Sequence, residues 1–284
     1  MESSKFRISR LLLYFLFVTL FLFISGNTGR YLIETHGFSW QIAMLLQGVI
    51  FTGLTTMVLF LLKQKNPSIF KNIGLSGIKS YPKLIIGLVL PFALVVLGIL
   101  TAYFIGGIEN VTINLSVNVL IAIFINSVIA LLFEAFPEEV FIRGLIFEEL
   151  NKKYHFIVSL LLQPLIFICV PIAVTALTSL FLNESFEFTL DYFILLYTFG
   201  IALQLYRKYT GSLWMSMAFH IIYLEVTRFI SMGGIYIPDI ALMEFDESFE
   251  GFMSLYLSFL FIVVISVMVL IILLLIDKRT NSGK

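Results

Sequence analysis

Cysteine, histidine and charged residues are scarce in this 284-residue chain. Its one cysteine, Cys169, lies inside an apolar run, which excludes an internal disulfide framework and a thiolate metal cluster. Only 13% of the residues are charged, whereas a soluble domain carries about 25%. Because 18 Lys and Arg balance 18 Asp and Glu, a nucleic-acid partner has no electrostatic support and none is expected.

Apolar residues make up 60% of the chain, and the mean hydropathy is +1.02. Runs near the length that crosses a ~30 Å hydrocarbon core as a helix recur from end to end. The sequence therefore predicts an all-α, polytopic membrane bundle of about eight transmembrane helices, in a single domain over residues 1–284. The eight runs are 11–25, 40–62, 84–106, 117–136, 156–182, 188–206, 212–230 and 253–276.

The distribution of basic residues favours one orientation. With a cytoplasmic N-terminus, the segments on the cytoplasmic side hold 15 of the 18 Lys and Arg, while the external segment 238–251 collects acids. This is the asymmetry of the positive-inside rule, and it requires an even number of spans. We expect a multi-pass protein of a bacterial cell membrane with both termini in the cytoplasm. The 15 residues are Lys5, Arg7, Arg10, Lys63, Lys65, Lys71, Lys79, Lys83, Lys152, Lys153, Arg207, Lys208, Lys278, Arg279 and Lys284.

The fourth run ends in FPEEVFIRGLIFEEL, residues 136–150, where Glu138, Glu139 and Arg143 stand together among apolar residues. A helix stacks Glu139 over Arg143, so these two can form an ion pair, and Glu138 is left without a partner in its own segment. Two acids held in different protonation states suit one as a general base on water. The alternative is a solvated cytoplasmic helix end, which we expect for Glu148 and Glu149.

A second polar segment, GSLWMSMAFHIIYLEVTRF, occupies residues 211–229 of the seventh run. His220 lies in the middle of the span with Ser216 one turn before it. Arg228 follows Glu225 by three residues, so we expect these two charges to neutralise each other. A histidine at membrane depth is either a hydrogen-bonded packing group or a functional group, and the sequence leaves both readings open.

These two segments resemble the motifs of one family. EEVFIRG is similar to the E-E-x-x-x-R signature of the CAAX-protease and bacteriocin-processing (CPBP, or Abi) intramembrane peptidases, and GSLWMSMAFH is similar to their G-S-L-x-x-S-x-x-x-H segment. The resemblance covers about residues 84–230. It implies that the first glutamate activates a water, together with the histidine of an F-x-x-x-H motif, while an H-x-x-x-N motif polarises the scissile carbonyl or holds a metal such as zinc. The matching residues are Glu138, Glu139, Arg143, Phe167 and His220.

The chain departs from the family pattern at two positions. Pro171 stands four residues after Phe167 where the second motif has its histidine, and Leu224 stands where the third motif has its asparagine. Proline cannot take a proton, and leucine offers no hydrogen bond. Gln163 on the same helix could place a water but cannot replace the proton transfer. A catalytic zinc normally has three protein ligands and a water, and the remaining candidates are Glu138, Glu139 and His220.

Three functions of different class remain. The first is an intramembrane endopeptidase that cuts a peptide or a lipid-anchored C-terminus in a polar cavity between helices four, five and seven. The second is a catalytically lapsed relative that serves as a membrane scaffold or a bacteriocin self-immunity protein. The third is a transporter whose glutamate pair relays protons, although such proteins favour inverted repeats, which the sequence lacks. The expected partners are membrane lipid and a peptide or membrane-protein substrate.

Overall fold

Eight long helices make up most of the molecule. The computed structural model describes residues 6–76, 80–182, 188–234 and 240–282, so Lys5, Lys79, Lys284 and residues 238–239 of the acidic segment lie outside the described residues. The predicted polytopic all-α bundle is confirmed, with helix ends within a turn or two of most predicted runs. The helices are α1 (Ile8–His36), α2 (Trp40–Lys65), α3 (Tyr81–Phe104), α4 (Val117–Asn151), α5 (Phe156–Leu182), α6 (Leu190–Thr210), α7 (Leu213–Ser231) and α8 (Ser254–Thr280).

Seven of these helices, within the described part of the chain, are long and apolar enough to cross a membrane. The remaining one is α6, which has 21 residues and carries Asp191, Arg207 and Lys208. It is nevertheless part of the bundle, because Leu203 and Tyr206 on one of its faces are fully buried. The prediction of about eight spans therefore corresponds to seven strongly apolar helices and one less apolar helix packed among them.

Opposite charges collect at the two ends of the bundle. One end of the bundle is called the basic end. There Nζ of Lys83 on α3 lies 2.5 Å from Oδ2 of Asp277 on α8. At the other end, the acidic end, strand β1 (Ile108–Ile113) pairs antiparallel with β2 (Met243–Glu247). Sequence analysis missed this strand pair because both segments are short and lie between apolar runs. It ties the segment before α4 to the segment before α8.

The outward face of the bundle is apolar, while close helix contacts use small residues. Large side chains such as Phe124 and Ile157 are exposed, as expected for residues that face lipid tails. Gly200 of α6 lies against Pro164 of α5, and a Cβ on this glycine would be 3.0 Å from the proline Cβ. Such small-residue contacts allow helix backbones to approach closely inside a membrane.

Helix α4 changes its winding twice around the glutamate pair. Ordinary α-helix gives way to π-helix at Ala130–Ala135, returns for Phe136–Glu138, and gives way again at Glu139–Ile146. Pro137, which has no N–H to donate, lies between the two π-helical stretches. π-Helical turns are rare and frequently occur at functional sites. The chain thus places its charged motif in the least regular part of its fourth helix.

Candidate active site

The predicted ion pair between Glu139 and Arg143 is confirmed. Both side chains are fully buried, and Nη1 of Arg143 lies 3.2 Å from Oε1 of Glu139. The guanidinium carbon also lies 4.3 Å from the centre of the Phe167 ring on α5. A cation over an aromatic face is attracted by the ring quadrupole, and the attraction is stronger where water is absent. These contacts tie the motif on α4 to α5.

Glu139 also binds two residues of α7. Its Oε1 is 3.2 Å from Nδ1 of His220, and its Oε2 accepts a hydrogen bond from the Ser216 hydroxyl. The Ser216 hydroxyl lies 3.0 Å from the carbonyl oxygen of Leu203 as well. A hydroxyl has a single proton to donate, and a charged carboxylate is a stronger acceptor than a carbonyl oxygen. The Ser216 proton is therefore directed to Glu139. Glu139 therefore links α4 to α7, while its partner Arg143 contacts α5.

His220 is held in one orientation by these contacts. It is buried, and the Phe199 ring of α6 packs edge-on against it, with 5.0 Å between ring centres. Because Nδ1 faces the Glu139 carboxylate, Nδ1 carries a proton and the chemistry of the ring is left to Nε2. Among the described residues, none makes a hydrogen bond with Nε2. The ring is therefore fixed on one side and open on the other.

Glu138 differs from its neighbour because its carboxylate is half-buried and accepts no hydrogen bond from any described residue. This agrees with the prediction that it has no partner in its own segment. It interacts electrostatically with His220 and Arg143. Tyr192 of α6 in turn interacts with Glu138 and with Glu134. Sequence analysis missed Tyr192, because no motif marks a tyrosine at the start of the least apolar helix.

Glu225 and Arg228 interact electrostatically, as expected, but the hydrogen bonds described for both side chains go to α4. Arg228 binds Glu134 of α4 at 2.7 Å. Glu225 accepts hydrogen bonds from Asn126 at 2.7 Å and from Ser127 at 3.1 Å. Both α7 side chains reach across to α4. We call these five residues the outer cluster, because they lie nearer the acidic end than Glu139 does.

The expected solvated helix end at Glu148 and Glu149 is also wrong in part. Glu149 is 2% exposed, and it accepts hydrogen bonds from the Arg7 backbone N–H at 2.7 Å and from Lys152 at 2.5 Å. Glu148 is one-third exposed and binds Arg207 of α6 at 2.7 Å. Both acids therefore hold the basic end of the bundle together.

Arg207 is a second residue whose role the sequence did not reveal. The sequence assigns it only to a cytoplasmic segment, whereas in the structure it is buried and donates to the carbonyl oxygen of Arg143 at 2.5 Å. Its other donors reach the carbonyl oxygens of Ile73 at 3.1 Å and Asn72 at 3.2 Å. A π-helical turn leaves a carbonyl that needs a donor, and Arg207 supplies it directly behind Arg143.

Pro171 and Leu224 stand in place of the histidine and the asparagine of the motifs that the chain resembles. Pro171 is one turn past Phe167 on α5, and Leu224 is one turn past His220 on α7, where it packs against the core. No three His, Cys, Asp or Glu side chains converge on a metal-sized site in the described part of the chain. Glu139 and His220 are bound to each other, so the donors do not fit a catalytic zinc.

Comparison with known proteins gives one match. Residues 118–224 match the family model described as type II CAAX prenyl endopeptidase Rce1-like. The matched segment runs from α4 into α7 and contains both motifs, so the resemblance predicted from them is confirmed. At the level of the family, the match supports an intramembrane endopeptidase of the CAAX-protease type. No curated protein and no solved structure matches the chain significantly.

Proposed function

We propose that this protein is an intramembrane endopeptidase of the CAAX-protease type in which Glu138 activates a water molecule. The observation that carries the proposal is the contrast within the glutamate pair. Glu139 is saturated by Arg143, Ser216 and His220, whereas the adjacent Glu138 has a free carboxylate. A carboxylate with unused acceptor sites, in a half-buried position, is suited to remove a proton from water.

The hydrolysis follows from these positions. Glu138 takes a proton from water as the water oxygen attacks the scissile carbonyl. In the form of the ring that carries a proton on both nitrogens, His220 is held by Glu139 at Nδ1. Its Nε2–H then donates a hydrogen bond to the carbonyl oxygen as this oxygen becomes negative. The tetrahedral intermediate then collapses, and the leaving amine takes the proton that Glu138 had accepted. Arg143 balances the charge of Glu139 and keeps it oriented toward His220.

Tyr192 is a candidate for part of the role that the family assigns to its second-motif histidine. Pro171 cannot carry a proton, but the Tyr192 side chain interacts with Glu138 from α6. A phenol can donate a hydrogen bond to a developing oxyanion. The loss of a general-base partner lowers the rate by a factor of ~10² to 10⁴. We therefore expect turnover to be slow even if Tyr192 takes over part of this role.

The second candidate is a catalytically lapsed relative that acts as a membrane scaffold or as a bacteriocin self-immunity protein. The replacement of two family groups by Pro171 and Leu224 favours it. Under this reading, the contacts of Glu139, Arg143 and Arg207 stabilise helix packing and Glu138 has no chemical role. The two candidates differ in whether any peptide bond is cut.

The proposed substrate is a peptide, or a segment of a membrane protein, that enters from lipid or from the basic end. We place the basic end in the cytoplasm, because Lys and Arg are enriched there as the positive-inside rule requires. Both termini then lie in the cytoplasm of a bacterial cell. Reporter tags at the N-terminus, near Lys71 and at the C-terminus should report cytoplasm, and one near Asp246 should report the outside.

The test is cleavage by purified protein in liposomes, with the enzyme in excess over prenylated and leader-peptide substrates. We expect slow cleavage by the wild type and faster cleavage by the double variant Pro171→His, Leu224→Asn. Mass spectrometry of the products identifies the bond that is cut. If neither protein cleaves any substrate while both melt cooperatively, the peptidase proposal fails and the scaffold reading replaces it.

A further inference from the structure

Four buried side chains on α4, α5 and α6 have polar atoms without a hydrogen-bond partner in the protein. They are the guanidinium nitrogens of Arg143, of which Nη1 makes only the ion-pair contact with Glu139, the Ser159 hydroxyl, both amide atoms of Gln163 and Oε1 of Gln204. All four side chains are at most 1% exposed. An unsatisfied buried polar atom costs about 1–3 kcal/mol, and such atoms are normally bonded to protein or to ordered water. Their number in one region needs a physical explanation.

Two of these side chains, Ser159 and Gln163, lie on one face of α5. Ser159, Gln163 and Phe167 are spaced four residues apart and share one face of the helix. At one end of this face, the Phe167 ring lies on Arg143. At the other end, the Phe156 ring lies 5.7 Å from the Phe147 ring of α4. The face that carries Ser159 and Gln163 is therefore held against α4 between these two contacts.

Helix α6 packs beside the polar face of α5. It runs antiparallel to α5, with Gly200 against Pro164 and the Lys208 ammonium 4.7 Å from the Phe156 ring. Gln204 lies midway between these two contacts, on the level of Ser159 and Gln163. The three uncharged polar side chains thus lie where α4, α5 and α6 converge.

One of these polar side chains, Gln204, also lines a cavity at the basic end. The cavity has a volume of about 190 Å³ and is lined by Phe147, Phe156, Gln204 and Arg207 among others. A water molecule occupies about 30 Å³ in the liquid, so the cavity has room for several.

We propose that Ser159, Gln163 and Gln204 line a hydrated passage, the polar seam, through which water reaches Arg143 and the glutamate pair from the basic end. The groups of the seam include both donors and acceptors, as water requires. A cation would be repelled by Arg143, and an apolar ligand would leave the amides unpaired. The use of this water in hydrolysis rests on the proposed peptidase function, but its presence does not.

X-ray radiolysis tests the seam, because hydroxyl radicals formed from water oxidise adjacent thiols without any reagent that has to enter. The background carries Cys169→Ala. We expect Ser159→Cys and Gln163→Cys to be oxidised at least tenfold faster than Ile168→Cys, a buried position on the adjoining face of α5. Leu165→Cys, which faces lipid, serves as a second control. Oxidation of both seam thiols at the Ile168→Cys rate would overturn the proposal.

Two further variants test where water enters the polar seam and how much the buried Gln163 amide costs in stability. Gln204→Phe should lower the oxidation rate of Ser159→Cys several-fold, and an unchanged rate would show that water does not enter from the cavity. Gln163→Leu should leave the melting midpoint unchanged or lower, since a solvated amide costs little. A raised midpoint would mean a dry seam and would contradict the proposal. None of these readouts needs peptide cleavage, so failure of the seam and failure of the peptidase are distinguishable.

Discussion

The outer cluster and the Glu139 centre are built from the same kinds of residue on the same two helices. In the outer cluster, the ion-paired side chains of Arg228 and Glu134 are still 15% and 20% exposed, and Glu225 is hydrogen-bonded through Oε1 while its Oε2 has no described partner. In the Glu139 centre, the ion pair is fully buried, while Glu138 and one face of His220 are left free. The difference teaches that charge at membrane depth is not itself a sign of chemistry. The sign is a fully buried ion pair that fixes a histidine next to a carboxylate with no hydrogen bond.

The largest expected effect comes from breaking the buried pair. Removal of one partner leaves an uncompensated charge, which costs about 3–5 kcal/mol in buried pairs. We therefore expect Arg143→Ala to lower the yield of folded protein and the melting midpoint severely. Lys278→Ala, at an exposed position on α8, is the matched control and should behave as the wild type. Equal yields for the two variants would place Arg143 in a solvated site.

A smaller loss of stability is expected in the outer cluster. Arg228→Met keeps much of the side-chain volume but removes a charged hydrogen bond to Glu134, which is worth roughly 1.5–3 kcal/mol. Partial exposure of the pair reduces this cost relative to that of Arg143→Ala. Thermal melting of both variants in the same detergent checks the order. An Arg228→Met midpoint below that of Arg143→Ala would reverse the comparison between the two regions.

The sequence predictions succeeded for interactions within one helix and failed for interactions between helices. The helices and the Glu139–Arg143 pair were predictable because apolar run length and four-residue spacing act within one segment. The hydrogen-bond partners of Glu225 and Arg228 were not, since both choose residues on another helix. Arg207 was missed for the same reason, because its acceptors are backbone carbonyls far away in the chain. The π-helical turns of α4 have no sequence pattern that spacing arguments recognise.

Tyr192→Phe should have a moderate effect on cleavage and little on stability. The change removes the hydroxyl of a side chain that interacts electrostatically with Glu138, and we expect a loss of about tenfold in single-turnover rate, at the weak end of oxyanion-type contributions. Tyr197→Phe on the same helix is the control, because the Tyr197 hydroxyl donates to the Leu161 carbonyl oxygen at 3.4 Å, away from Glu138 in the hydrogen bonds described. Identical rates for both variants would exclude Tyr192 from the reaction.

The smallest effect is expected at the surface of the basic end. Lys83 and Asp277 form an ion pair at 2.5 Å, but each is about one-third exposed. Exposed pairs contribute about 0–1 kcal/mol and weaken with salt. Lys83→Ala should therefore shift the melting midpoint by no more than a few degrees, and less at high ionic strength. A large shift that salt does not change would mean that this end of the bundle is dry.

The most direct test of the account compares Glu138→Gln with Glu139→Gln, measuring melting midpoint and single-turnover cleavage on the same samples. The account predicts that Glu138→Gln keeps the wild-type midpoint and loses at least 100-fold in rate. Glu139→Gln should lower the midpoint sharply, since Arg143 loses its counter-charge. If Glu138→Gln cleaves at the wild-type rate, or if it is the less stable of the two, the division of roles between the glutamates is contradicted.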